Sequence, residues 1–504
     1  MSKIYEDFLP APIAGMKDNV SILNGDKNYA LYLQNFICRP YGLQLHKAGE
    51  LFLSPPVDSK MLFTYSKPDG TDQLWLANNS GLYNISGATY PAASIVITNG
   101  EGQAVPMNTG AGSYLFFFNG TDTAKIYDGT TWAAASITGL TTSGLRAGCV
   151  YRKRLYMLEN GKLGFWYLSP SGIAGSAVYY DAGTIFTRGG YAVSIQPYTR
   201  DGGIGQDDFL AVLSSNGELA LFSGNDPAAS SWIPMGTYFV GQPPGDSPFQ
   251  MVRYGGDLLI LTGTGVYSVT ALTSGKSLPF DGGISKNITQ FMSLNVAAYP
   301  KAKLFVLPSV QLLYVYLRQG LSLAMDLQTG GWSTMPGISS GEGSQPADST
   351  FWVEFDNGNG YEVLSISQKN VYIGWRNLNG TYWSVTHPYL RFSTLHDKQQ
   401  LQIRPYIQAI GTATGIALNY LSAKNSSGQW VMNALPVQAN FWAPTISNTL
   451  VSGLIFQHWI TPQTSPGFNI SYSFNGTLPG SNTLTDLIYL GSDLRSASAG
   501  IGGP

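Results

Sequence analysis

Chemistry in this chain would have to come from few places. The 504-residue sequence holds four histidines, His46, His387, His396 and His458. None sits at the H-x-H or H-x-x-x-H spacing that brings two imidazoles to one metal, so each reads as a hydrogen-bonded or interface residue. Asp207 and Asp208 supply the pair of carboxylates that glycoside cleavage uses. Adjacent strand residues point to opposite faces, however, so these two are poorly placed to share a substrate. "TSGKS" at 273–277 has the end of a phosphate-binding loop, but the first glycine of G-x-x-x-x-G-K-S falls on Thr270. Two cysteines, Cys38 and Cys149, make neither a disulfide framework nor a metal spacing.

Turn motifs absorb the remaining candidates. "DNGNG" at 356–360 lacks the further carboxylates a calcium loop needs and reads as an Asx turn. "YDGTTW" at 127–132 resembles part of the aspartate box of sialidase propellers without its leading serine, and that box is itself a structural turn. The basic run Arg152-Lys153-Arg154 reads as the polar lead-in to the strand "LYML", not as a phosphate site. Asn119, Asn379 and Asn475 stand in "NGT" sequons that read as tight turns, since Asn-Gly supplies positive φ. The expectation is a non-enzyme with no cofactor and no metal.

Composition agrees with that reading. Only 12% of residues are charged and the net charge is −2, against about a quarter charged in an average soluble chain. A sequence-reading nucleic-acid binder would show a basic face or a high pI. The amino terminus lacks a basic segment followed by an apolar run, and the longest apolar stretch, "VQLLYVYL" at 310–317, falls far short of the roughly 20 residues of a membrane helix. A soluble protein made in a cytoplasm, with no membrane segment, is expected.

The elements that position these residues are strands. Helical periodicity is nearly absent, and seven strand–turn–strand units recur, from "DQLWLANNSGLYNI" to "EVLSISQKNVYIGW". Anchored at Leu74, Leu115, Leu155, Leu210, Leu258, Leu313 and Val363, they are separated by 41, 40, 55, 48, 55 and 50 residues. Four-stranded propeller blades repeat at about 40 to 50 residues, and stacking around an axis buries faces that one blade cannot bury alone. The pattern predicts an all-β chain: a six- or seven-bladed β-propeller over 56–395, an irregular N-terminal arm over 1–55 that packs on another domain, and a β-sandwich-like domain over 396–504. Within the arm, "NYALYLQN" at 28–35 reads as partly helical, and the tail "SASAGIGGP" as mobile or held by a partner.

The residues singled out are therefore architectural. Trp132, Trp232 and Trp332 each follow a polar turn and are expected to wedge between neighbouring blades. Asp226 and Pro227 should shape a turn, and Gly202, Gly203 and Gly205 a tight loop before "DDFLAVL".

Much of residues 10–390 resembles one family. The features are "RLYM…WYLSP", "TRDGGIGQDDFLAVLSSNGELALFSGNDP", "YGGDLLILTGTGVYSVT", the entry segment "APIAGMKDN…LYLQNFICRPYGLQLHKAGE" and "AMDLQTGGWSTM". Together they look like the tail nozzle, hub or packaged-DNA stabilisation proteins of short-tailed bacteriophages (podoviruses), also called tail tubular proteins. The C-terminal domain matches only loosely. The resemblance implies a virion tail protein assembled in the host cytoplasm: a homo-hexameric ring below the portal. Its expected partners are the adaptor (head-to-tail connector) ring above and a tail tip, needle, tailspikes or fibres around and below. Double-stranded phage DNA would be retained and then conducted through its bore without sequence-specific binding. A net charge of −2 is compatible with a bore that does not hold DNA, because each neutralised phosphate adds affinity. Two other classes compete: a glycan-binding propeller (a receptor-binding adhesin) using aromatics in "GFWYLS" and "NLNGTYWSVTHPYL", and a hydrolase propeller, for which no carboxylate stands out.

Overall fold

Seven consecutive antiparallel hairpins account for the repeat. The structure is a computed structural model, and it describes residues 4–19, 26–46, 48–201, 206–275, 283–296, 299–318, 321–336, 349–377, 382–387, 390–391, 398–410, 413–422, 446–450, 453–456, 469–470, 472–477 and 486–498. The chain divides into two units. One comprises 51–319 and 348–373; the other comprises 1–50, 320–347 and 374–504.

The first unit is a β-propeller. Blade 1 holds Ser59–Ser66, Asp72–Asn78 and Gly81–Asn84. Blade 2 holds Gln103–Thr109, Gly112–Phe118, Lys125–Tyr127 and Trp132–Ala134. Blade 3 holds Leu145–Tyr151, Arg154–Glu159, Gly164–Tyr167 and Val178–Asp181. Blade 4 holds Ala192–Asp201, Gln206–Ser214, Glu218–Ser223 and Ile233–Phe239. Blade 5 holds Met251–Tyr254, Asp257–Thr262 and Gly265–Ser268, and blade 6 begins with the hairpin Lys303–Leu307 and Leu312–Arg318. Blade 7 holds Ser349–Asp356, Tyr361–Ser367 and Asn370–Asn377, and the earlier strand Ala48–Leu53 lies beside the last of these.

Every sequence anchor from Leu74 to Val363 lies on the second strand of its blade. The first strands of blades 2 to 7 adjoin in succession, and that of blade 7 adjoins blade 1. Blades 1 and 2 are joined by the Tyr65 hydroxyl donating to the Ser113 carbonyl at 2.8 Å. The ring closes with seven blades. Second strands are the most apolar, for example Leu210, Ala211, Val212 and Leu213 at 0% exposure, because both faces of a blade are covered by neighbours.

Among its described residues the other unit contains two large sheets and a two-stranded one, Leu390–Arg391 with Asn469–Ile470. One large sheet orders Phe36–Arg39, Gly42–Leu45, Asp486–Ser498, Lys398–Ile410 and Gly453–Phe456, with Ile4–Pro10 also paired to Asp486–Ser498. The second contains Leu321–Asp326, Trp332–Pro336, Tyr32–Gln34, Tyr382–Thr386, Tyr472–Thr477, Ala413–Ser422 and Ile446–Leu450. An Arg39–Asp326 ion pair at 2.7 Å and a Thr329 Oγ1 bond to the Cys38 carbonyl at 2.6 Å tie one sheet to the other.

Three expectations change here. The arm at 1–55 is no separate domain; its strands up to Leu45 belong to the two large sheets of the other unit and Ala48–Leu53 lies beside blade 7, so the observed division does not follow the 55/56 and 395/396 boundaries. "NYALYLQN" is not helical: Tyr32–Gln34 is a strand between Trp332–Pro336 and Tyr382–Thr386, where flanking strands supply the hydrogen bonds a helix would make internally. The start of the tail is ordered, since Ser496 and Ala497 pair with Tyr5 and Ile4; residues 499–504 lie outside the described residues.

Candidate functional site

Turn chemistry builds the rim of the propeller. Asn78 Oδ1 accepts from the Ser80 and Gly81 amides, and Asn119 Oδ1 from those of Thr121 and Asp122. These turns reach into the next blade: Asn79 Oδ1 accepts from the Gly100 amide, and Asn160 Nδ2 donates to the Gly120 carbonyl. Asp122 accepts from the Thr98 and Asn99 amides and from Asn119 Nδ2. Burial would raise its carboxyl pKa, and these donors outweigh that and hold it below the usual range. On that rim the entry loops of blades 2, 5 and 6 converge. Gly245 lets two of them touch, because a Cβ there would fall 1.7 Å from the Pro300 carbonyl oxygen.

The loops enclose a cavity of about 280 Å³ whose lining includes Lys60, Glu101, Arg146, Asp246, Lys301 and Lys303. Its charges are organised. Lys301 Nζ lies 3.0 Å from Glu101 Oε1, and Arg146 Nη1 lies 3.5 Å from Asp246 Oδ2. Lys303 donates to the Thr350 carbonyl at 3.4 Å and sits 5.4 Å from the centre of the Phe351 ring. Burial above all, with Lys301 and Lys60 adding to it against the pull of Glu101, brings the Lys303 ammonium down to about 8. Burial would raise Glu101, but Lys301, Lys303 and Lys60 hold it below the usual carboxylate range. Burial also lowers Arg146, against the opposing Asp246. The arrangement can bind a small charged group. Among the described residues, no three His, Cys, Asp or Glu side chains cluster as a metal set would require.

The predicted architectural residues lie elsewhere. Trp232 is 7% exposed and sits between blades 3 and 4, parallel to Phe222 at 5.6 Å and Tyr156 at 6.2 Å and edge-on to Phe165 at 6.1 Å. Trp132 fills the same place between blades 1 and 2, at 5.4 Å from Trp75 and 6.3 Å from Phe63. Trp332 is fully buried but is not a wedge of the propeller unit. It lies in the sandwich unit, where its carbonyl accepts from the Met16 amide and Gly15, at φ 80°, runs close beneath it. Asp226 and Pro227 do make a turn: Asp226 Oδ1 accepts from the Ala228 amide at 3.0 Å. Asp226 Oδ2 also pairs with Arg154 of blade 3 at 2.8 Å. Gly202, Gly203 and Gly205 lie outside the described residues.

Arg152 and Lys153 form the two-residue turn leading into Arg154–Glu159, with φ of 45° and 63°. Asp128 accepts from the Thr130 and Thr131 amides, and those donors hold its carboxyl down at about 2, so "YDGTTW" is a structural turn. The Gly358 amide donates to Asp356 Oδ1 in "DNGNG", an Asx turn. His387 is buried with Nε2 3.3 Å from the Tyr489 hydroxyl, and burial lowers it to about 3, leaving a neutral ring. Within "GFWYLS", Phe165 and Tyr167 are core residues.

Two features escaped the sequence reading. Tyrosines in the first strands of blades 1, 3 and 4 bolt those blades to the next: Tyr65 donates to the Ser113 carbonyl, Tyr151 to the Asp208 carbonyl, and Tyr198 shares a bond with Thr270 Oγ1 at 2.7 Å. Glu218 is buried at the start of its strand and accepts from Thr187 Oγ1 and the Thr187 and Arg188 amides. An acidic residue directly after an Asn-Gly turn was the available signal for it.

No family model matches the chain, and no curated protein does. Among solved structures, a crystal structure of BBS1N in complex with ARL6DN, soaked with mercury, is similar at a TM-score of 0.40 and 12% identity, over 66% of this chain and 96% of that one. A lead-soaked crystal of the same complex gives a TM-score of 0.29 and 13% identity, over 45% and 74%. At those values the likeness carries no argument about function; the propeller assignment rests on the closed ring of blades.

Proposed function

We propose that this chain is a structural subunit of a short phage tail, a nozzle or hub protein that closes into a homo-hexameric ring, retains packaged DNA and conducts it on ejection. The observation that carries the subunit reading is the outer edge of blade 4. On the outer strand Ile233–Phe239, Ile233, Met235 and Phe239 are 52%, 53% and 52% exposed, and a β-bulge at Met235 interrupts the pairing. Val178, on the outer strand of blade 3, adds 49%. Large apolar side chains grouped on an open sheet edge mark a protein contact. A ring needs two different faces on each subunit, and a rigid propeller joined to a sandwich offers several. Which assembly it is comes from the resemblance in the central run, and the adaptor ring, tail tip and spikes are proposed as partners on that basis alone.

Sedimentation velocity and cryo-EM of the purified protein test the reading. A closed six-fold ring is expected at micromolar concentration, and Met235→Glu should shift the population to monomer without lowering the thermal midpoint. A protein that stays monomeric and is absent from virions would overturn it.

A further inference from the structure

We propose that the cavity on the propeller axis is a receptor for a small oxyanion of the phosphate or sulfate class, held between Lys60 and Lys303. Four cationic side chains and two carboxylates line it, an excess of two positive charges in about 280 Å³. Both carboxylates are committed: Glu101 to Lys301, and Asp246 to Arg146. Among the described residues, neither Lys60 nor Lys303 is ion-paired with a carboxylate, and the protein contacts of the Lys303 ammonium are a long bond to a neutral carbonyl and the face of the Phe351 ring.

An unpaired ammonium drawn out of water costs free energy that an anion would restore. The fold keeps the lysine there instead of an apolar residue that would pack on Phe351 as well. Asn160 adds an amide to the wall: its Nδ2 gives one hydrogen to the Gly120 carbonyl and has a second, the kind of donor an oxyanion accepts from. The volume suits an inorganic anion or a terminal phosphate, not a nucleic-acid duplex. The site stands independently of the tail assignment.

The charged groups facing Lys303 are Lys60 from blade 1, Glu101 from the loop into blade 2, Arg146 from blade 3, Asp246 from the loop into blade 5 and Lys301 from its own approach segment. With Glu101 held ionised, Lys303 is the group brought nearest neutrality, so anion binding should take up a proton above pH 8.

Titration calorimetry of the full chain with sodium sulfate, at constant ionic strength in chloride, tests this. Sulfate keeps its charge from pH 6 to 9.5, so any pH dependence belongs to the protein. Saturable binding is expected, with affinity falling up to about tenfold per pH unit above 8. Lys303→Met should weaken it at least tenfold and abolish that pH dependence, and Lys60→Met should weaken it while keeping the dependence. Glycerol 3-phosphate in parallel separates the sources: equal affinity identifies the free anion as ligand, and tighter binding an esterified phosphate. Absence of saturable heat in the wild type, or sulfate binding unchanged in Lys303→Met, overturns the proposal.

Discussion

The seam between blades 3 and 4 and the mouth of the propeller axis solve opposite problems. At the seam, Trp232, Tyr156, Phe165 and Phe222 come from two blades and pack to nearly complete burial. At the mouth, cationic and acidic side chains from several blades meet around open space. The seam holds the ring together, since area removed from water is what makes adjacent blades adhere. The mouth contributes little to that adhesion and keeps an ammonium in a setting that lowers its pKa. A rigid ring thus presents a site that is not optimised for its own stability, which is the pattern expected where residues are kept for binding.

Breaking the seam should have the largest effect. Trp232→Ala removes an indole that touches aromatics of both blades and leaves a cavity no neighbour can fill, so a loss of about 3–5 kcal/mol is expected in chemical denaturation. A loss under about 1 kcal/mol would mean that blades 3 and 4 adhere through something other than this wedge.

The polar end of the same seam should come next. Burial raises the Glu218 carboxyl, but the bonds from Thr187 and Arg188 outweigh it and leave the pKa below the usual value. A lowered native pKa contributes stability that is present above the unfolded value and lost as pH falls through the folded one. Glu218→Gln should therefore cost about 1.5–3 kcal/mol at pH 7, and the gap to wild type should narrow as pH drops below about 4.3. Thermal melts from pH 7 to 3 read it; a constant gap would show that the charge is not what matters.

The seam was legible in the sequence and the mouth was not, for a physical reason. Apolar second strands recur once per blade, so a period exposes them, and Trp132 and Trp232 follow the polar turns of two of those blades and stand at the seams expected for them. Trp332 follows the same local pattern, "LQTGGW", yet lies in the sandwich unit, because a turn followed by a Trp specifies a strand end and not the sheet that receives it. Tyr65, Tyr151 and Tyr198 bridge blades from the ends of first strands, but the hairpin after each differs in length, so no fixed offset links them. Lys60, Glu101, Arg146, Asp246 and Lys303 come from five segments with no spacing in common, and only closure of the ring assembles them.

The smallest effect should carry the opposite sign and sharpen the contrast. Lys303 has a native pKa of about 8, below the ordinary lysine value near 10.4. Below pH 8 the folded protein must hold a charge that the unfolded chain keeps more easily, so wild-type stability rises as pH increases from about 8 towards 10.4. Lys303→Met removes that burden and leaves an apolar side chain able to pack on Phe351. The variant should be more stable than wild type by on the order of 1 kcal/mol at pH 7, discounted for partial solvent contact, and the advantage should shrink as pH rises through 9 and 10. Urea denaturation in sulfate-free buffer at pH 7 and pH 10 measures both ends. If Lys303→Met is destabilising at pH 7, the lysine is a structural anchor, and mouth and seam are held by the same kind of selection.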